Sequence, residues 1–158
     1  MHAERKVISV ITINEHGVLS RISGLFAGRG YNIDSLTVAP IPESNLSHVT
    51  IETQGNKKVL EQIVKQLHKL IPVLKVTEHT DENVVEKEMA LVKIPITECL
   101  ADVDALCRAY HGSIVNVGED YIVAMAADEP KRVRNFVKAI KKFHPKEIAL
   151  SGVMAMER

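Results

Sequence analysis

The sequence predicts an α+β fold of two βαββαβ units in tandem, and three observations predict it. Apolar positions switch between a period of two and a helical period in the order strand, helix, strand, strand, helix, strand. A polar, charged stretch, HTDENVVEKE (79–88), then interrupts the pattern. Beyond it the same order returns over a similar length, which marks an internal repeat. The domains expected are residues 1–79, a linker at 80–87, and residues 88–158.

The first unit opens on KVISVITI (6–13), a β-branched run that reads as a buried strand. From Val18 the period changes: Val18, Leu19, Ile22, Leu25 and Phe26 share one helix face. Gly28 and Gly30 close that helix, with Gly30 suited to the left-handed residue just past its end. YNIDSLTVA (31–39) is a second strand, stopped by Pro40 and Pro42. LSHVTIET (46–53) alternates Val49 and Ile51 against His48, Thr50 and Glu52, the mark of a third strand. Asn56 precedes a helix whose apolar face is Val59, Leu60, Ile63, Val64, Leu67 and Leu70. Glu61 and Lys65 add a pair four residues apart in the favourable order. Pro72 ends the helix, and VLKVTE (73–78) is the fourth strand.

The second unit repeats the order. EMALVKIPI (88–96) is a strand, and Leu100, Val103, Leu106, Cys107 and Tyr110 form a helical stripe ending at Gly112. SIVNV (113–117) and YIVAMAA (121–127) make a hairpin. Pro130 fits the first turn of a helix carrying Val133, Phe136, Val137, Ile140 and Phe143. KEIALSGV (146–153) closes the unit. This is the ferredoxin-like plan twice over. Right-handed crossovers place both helices of a unit on one face of its sheet. The other face is left to solvent or a partner, and the apolar first strands favour a partner.

Composition narrows the function. The 158 residues carry 20 basic and 20 acidic side chains, for a formal net charge of zero. A dedicated binder of nucleic acid or anionic membrane would show a basic excess. No segment approaches the ~20 apolar residues of a membrane span, and no leader run precedes residue 6. Cys99 and Cys107 sit in or beside one helix, eight residues apart. At 1.5 Å per residue that is ~12 Å, too far for a disulfide. Reduced thiols and a cytoplasmic location are the expectation.

Familiar catalytic sets are missing. The seven histidines, His2, His16, His48, His68, His79, His111 and His144, fall on different elements and show no zinc-ligand spacing. Gly24, Gly28 and Gly30 lie inside and after a helix, whereas a phosphate-binding glycine run opens one. RNA-recognition domains share the βαββαβ order but stack bases on aromatics of their central strands. VISVITI and LSHVTIET carry none. Copper-carrying domains of this topology place cysteines after the first strand, and NEHGVL has none.

The NEHG loop (14–17) is the remaining candidate. At a helix start the first N–H groups have no partner and the dipole is positive, so the position accepts an anion. Glycine there lets a ligand approach the main chain at Gly17, Val18 and Leu19. Asn14 offers a donor and an acceptor, and Asn32 follows the same helix. Amides for a carboxylate and side-chain amides for an ammonium describe a free α-amino acid. The plainer alternative is that Asn14 and Gly17 only shape the turn, with Asn14 or Glu15 capping. On the residues alone both stay open.

NEHGVLSRISGLFAGRGYNIDSLTVAP resembles the signature of the ACT domain in the small, regulatory subunit of acetohydroxyacid synthase, also called acetolactate synthase. KKVLEQIVKQLHKLIPVLKV and EMALVKI extend the resemblance over residues 7–94, and RAYHGSIVNV and FVKAIKKF carry it thinly into the second domain. His16 departs from it, standing where family members often have a small residue. The resemblance implies a non-catalytic subunit that activates a large subunit and confers feedback inhibition by a branched-chain amino acid, usually valine. Thiamine diphosphate, Mg and FAD would belong to the large subunit, with no cofactor or metal in this chain. It also implies a homodimer, two ACT domains pairing side by side into one sheet with effectors between them. Asn14, Gly17, Val18 and Leu19 of one chain would hold the effector carboxylate. Asn32 and Ile33 of the other would complete the site. ITECLAD in the second half has no glycine at the helix start, so no equivalent site is expected there. The competing reading is a stand-alone amino-acid-sensing module serving another enzyme or a transcription regulator; an enzyme in its own right is a third.

Overall fold

The computed structural model describes residues 3–158, so the expectation for His2 lies outside the described residues. The chain packs as two units, one running up to Val85 and including Val153–Arg158, the other Glu86–Gly152.

In the first unit β1 (Glu4–Ile13), α1 (Val18–Gly28), β2 (Ile33–Pro40), β3 (Leu46–Gly55), α2 (Lys57–His68) and β4 (Val73–Glu78) follow the predicted order. The sheet order is β2-β3-β1-β4, every neighbouring pair antiparallel. Register sets Ile8 opposite Ile51 and Val10 opposite Val49. These four join Ile22, Phe26, Leu60, Ile63 and Leu67 in the buried core between sheet and helices. Asn56 caps α2, its side chain accepting from the Val59 N–H at 2.9 Å. Gly30, at φ 69°, ends α1: its own N–H reaches the Ala27 carbonyl and the Tyr31 N–H the Phe26 carbonyl. That double bond is what a left-handed residue past a helix end provides. It delays β2 to Ile33, two residues later than the pattern suggests.

In the second unit α3 (Leu100–Ala109), β6 (Ser113–Val117), β7 (Tyr121–Asp128), α4 (Pro130–Ile140) and β8 (Glu147–Leu150) join β5 (Val84–Pro95), with sheet order β6-β7-β5-β8. Its core gathers Val92, Ile94, Val103, Ile122, Phe136 and Ile140. β5 begins at Val84, earlier than the apolar pattern shows, because the consecutive charges Glu86, Lys87 and Glu88 interrupt that pattern in its first half.

Two features depart from the sequence reading. A further strand, β9 (Met154–Glu157), follows β8 and pairs with β5. The face of the first sheet away from its helices is also not left wholly to solvent or a partner. Val153 and Ala155, buried among the first unit's residues, cover part of it, above the buried Ser9, Thr50 and Glu52. No sequence period announces this, since the segment is only six residues long.

Candidate functional site

The site forms where β1 hands over to α1. The Asn14 N–H donates to the Asn45 carbonyl and the Glu15 N–H to the Ile13 carbonyl, folding the loop back tightly. Gly17 then takes φ 82°, ψ −3° as the residue capping α1, and no side chain caps this end. The capping by Asn14 or Glu15 that belongs to the plainer alternative is therefore not made. The first amides of the helix have no partner within it, and the dipole adds positive potential there.

Beside these amides lies a shallow pocket of about 80 Å³, lined by Thr12, Ile13, Asn14, Glu15, Val18, Leu19, Val38, Ser47 and Val49. Sites that enclose a small molecule usually offer ~300–1,000 Å³. This pocket is several times smaller. Its floor is apolar, with hydroxyls from Thr12 and Ser47, which face each other across the β1–β3 ladder.

Of the residues singled out from sequence, Asn14, Val18 and Leu19 line this pocket, and Gly17 supports it from the loop. Asn32 and Ile33 do not. They sit beyond the other end of α1, an 11-residue helix, hence ~16 Å long at 1.5 Å per residue. The exposed Asn32 amide donates to Asp34 Oδ1 at 2.9 Å, and its carbonyl accepts from Thr53 Oγ1. Ile33 packs on the first core and pairs with Thr53. His16 is exposed and outside the lining. Ile13, Val38, Ser47 and Val49 were not foreseeable as wall residues. Only the cross-strand register, Val38 to Val49 and Thr12 to Ser47, brings them together.

The matching helix of the second unit starts differently. Cys99 precedes α3 at φ −69°, ψ 110°, and Asp102 already places a carboxylate in the first turn. Among the described residues no group of three or more His, Cys, Asp or Glu is arranged to hold a metal ion. No described helix is long and apolar enough to cross a membrane.

Comparison with known proteins finds matches to both units. Residues 8–75 match the model of the AHAS small subunit-like ACT domain, and residues 87–158 that of the small subunit of acetolactate synthase. The acetolactate synthase small subunit of Buchnera aphidicola (subsp. Baizongia pistaciae) is 40% identical over 155 residues, covering 97% of this chain and 98% of that one. The isozyme 3 small subunit of Escherichia coli K12 is 42% identical over 156 residues, covering 98% and 96%. The crystal structure of the Thermotoga maritima acetolactate synthase small subunit superposes with a TM-score of 0.89 at 34% identity, covering 98% of each chain.

Proposed function

The chain belongs to the family of acetolactate synthase small subunits, regulatory chains that leave catalysis to a large subunit, and on that premise we propose that it activates its large subunit and confers feedback inhibition by valine. The single observation that carries this is the opening of α1: a left-handed Gly17 without a side-chain cap, beside a pocket with an apolar floor. The effector carboxylate would lie on the Val18 and Leu19 amides. Its ammonium would meet Asn14, and its branched side chain the wall of Val18, Val38 and Val49. The large subunit would hold thiamine diphosphate, Mg and FAD, and this chain no cofactor, working in the cytoplasm.

The site would be closed by a second copy. β2 is an edge strand, bonded only to β3 in the sheet order. An antiparallel partner strand centred on β2 sets Ile33 of one copy opposite Pro40 of the other. Pro40 pairs with Ser47, which lines the pocket. Asn32 and Ile33 of one copy then approach Asn14, Val18 and Leu19 of the other, although ~16 Å of helix separates them within a copy.

Reconstitution tests the reading. Large subunit plus this chain should make acetolactate faster than large subunit alone, and valine should reverse the gain. Light scattering at about 50 µM should give a dimeric mass, since association of an edge strand is set by mass action. No gain in rate overturns activation; a monomer with and without valine overturns the shared site.

A further inference from the structure

The chain leaves the first unit at Val85 and returns to it at Val153. On its return it meets three strands of the first sheet in succession, on the face away from the helices. The Val153 N–H donates to Ser35 Oγ of β2 at 3.2 Å. The Ala155 N–H donates to Thr50 Oγ1 of β3 at 3.4 Å, and the Ala155 carbonyl accepts from Ser9 Oγ of β1 at 3.0 Å. His79 braces Ser9 from beyond β4, its Nε2 lying 2.6 Å from the hydroxyl. Because Ser9 spends its proton on Ala155, the imidazole Nε2 is the donor in that bond. The Arg158 N–H reaches the Asn83 carbonyl at 3.3 Å.

Side chains on this segment divide. Val153 and Ala155 are 0% and 2% exposed, whereas Met154 and Met156 are 57% and 63% exposed. Two small buried side chains and a few hydroxyl bonds hold it on the first sheet, with no ladder to any of the three strands it crosses; its one strand partner among the described residues is β5. Gly152, at φ 82°, precedes it as a pivot. The strands it spans are also those that build the pocket on the opposite face. Thr50 neighbours Val49, Ser9 lies on the strand of Thr12, and Ser35 on that of Val38.

We propose that residues 153–158 are a detachable clasp on the back of the effector-binding sheet, through which occupancy of the pocket is passed to the second unit. The inference rests on the proposed function and names its in-chain coupling element. An effector bridging β1, β2 and β3 from the front fixes their relative positions. That fixes the spacing of Ser9, Thr50 and Ser35 on the back, so the clasp seats more firmly. Because the clasp is continuous through Gly152 with the second unit, its seating constrains that unit as well. Coupling of this kind needs an element with two arrangements that both sites bias, and seated against released supplies them.

Amide hydrogen exchange on the full-length chain, with and without valine, reads the clasp directly. Saturating valine should slow exchange over residues 153–157 by about tenfold, in the range of typical couplings. A second arm uses the full chain with Ser9→Ala and Thr50→Val together, which remove the bonds to Ala155 while keeping side-chain volume. Exchange at the Ala155 amide, whose acceptor Thr50 is then lost, should become fast and indifferent to valine. By reciprocity, calorimetric affinity for valine should fall about tenfold, and half-inhibition of the reconstituted enzyme should need about tenfold more valine. Unchanged exchange in the wild-type clasp overturns the proposal, as does wild-type inhibition from a variant whose clasp is open. A variant whose clasp exchanges like wild type also overturns it, because the hydroxyls then do not hold the segment. If the double variant fails to fold, the wild-type exchange result decides alone. A wild-type chain that binds no valine refutes the regulatory reading itself, a result separate from inhibition without any change in the clasp.

Discussion

The two units share an order of elements and a sheet order, yet their first helices begin in different ways. In the first, Gly17 in the left-handed region opens α1 beside a pocket. In the second, Cys99 opens α3 from the ordinary extended region, and Asp102 meets the dipole from within the chain. The backs of the sheets differ as well. The first carries the buried residues of the clasp, whereas Met89 and Leu91 remain exposed in the second. One topology therefore carries two different surfaces, and the difference lies in short loops and one terminal strand, with the cores built alike. If the contrast at the helix starts is functional, changing one residue there should abolish effector response without touching the fold.

Gly17→Asp is the largest such break. A Cβ at Gly17 meets no atom within 4 Å, so the cost of a side chain is conformational alone. At φ 82° that cost is about 1 kcal/mol. The new carboxylate takes the position assigned to the effector's own, adding repulsion. Activation of the large subunit should persist while inhibition by valine is lost across the usable concentration range. Gly17→Ala carries similar strain without the charge and should remain inhibited. Full valine inhibition of the Asp variant, with normal thermal unfolding, would reduce Gly17 to a turn residue.

Asn32→His is the next step down. Asn32 lies outside the pocket of its own chain, so any effect on valine binding has to arrive from a second copy. Imidazole is bulkier and cannot repeat the amide's paired donor and acceptor. Loss of one hydrogen bond to a charged group costs about 1.5–3 kcal/mol, or roughly 10- to 150-fold in affinity. Activation should change little. Titration of inhibition against valine gives the number, and an unchanged midpoint would remove Asn32 from the site.

Much of this comparison is legible in the residues. The helical stripe from Val18 to Phe26, the cap at Asn56, Pro130 opening α4 and the left-handed Gly30 all fall where local chemistry puts them. Asn14, Val18 and Leu19 were found because a glycine at a helix start is a local signal. Val38, Ser47 and Val49 escaped because a wall residue is defined by register, and register is a long-range property. β9 escaped for a related reason. Its partners Ser9 and Thr50 are far away in sequence, and a four-residue strand has too few positions to show a period.

The smallest predicted effect concerns the second helix of each unit, where the contrast is one of charge. In the first unit a neutral Asn56 caps α2. In the second, Asp128 stands before α4 and gathers four donors: the Glu129 N–H at 2.8 Å, Arg132 Nε at 2.8 Å, His111 Nδ1 at 3.1 Å and Lys87 Nζ at 3.3 Å. The Glu129 N–H, with Lys87, Arg132 and His111 behind it, outweighs burial and holds the Asp128 carboxyl well below the usual carboxylate range. A carboxyl whose folded pKa lies below its unfolded value near ~3.9 adds stability above that pH. The contribution is lost as pH falls from there through the folded pKa. Asp128→Asn keeps the shape and the bond from Glu129 but replaces charged bonds by neutral ones. It should therefore cost about 1 kcal/mol at pH 7, seen as a fall of ~4–8 °C in unfolding temperature for a domain of this size. From pH 7 to 5 the Asp128 contribution to the gap should hold steady, and below pH 4 the gap should close. Asn56→Ala in the first unit should cost about as much, at ~1 kcal/mol, but with no carboxyl at the cap its gap should stay constant through the same acid range. Parallel acid profiles for the two variants would show that Asp128 acts by shape alone, and the contrast in charge between the two helix starts would then carry no energy.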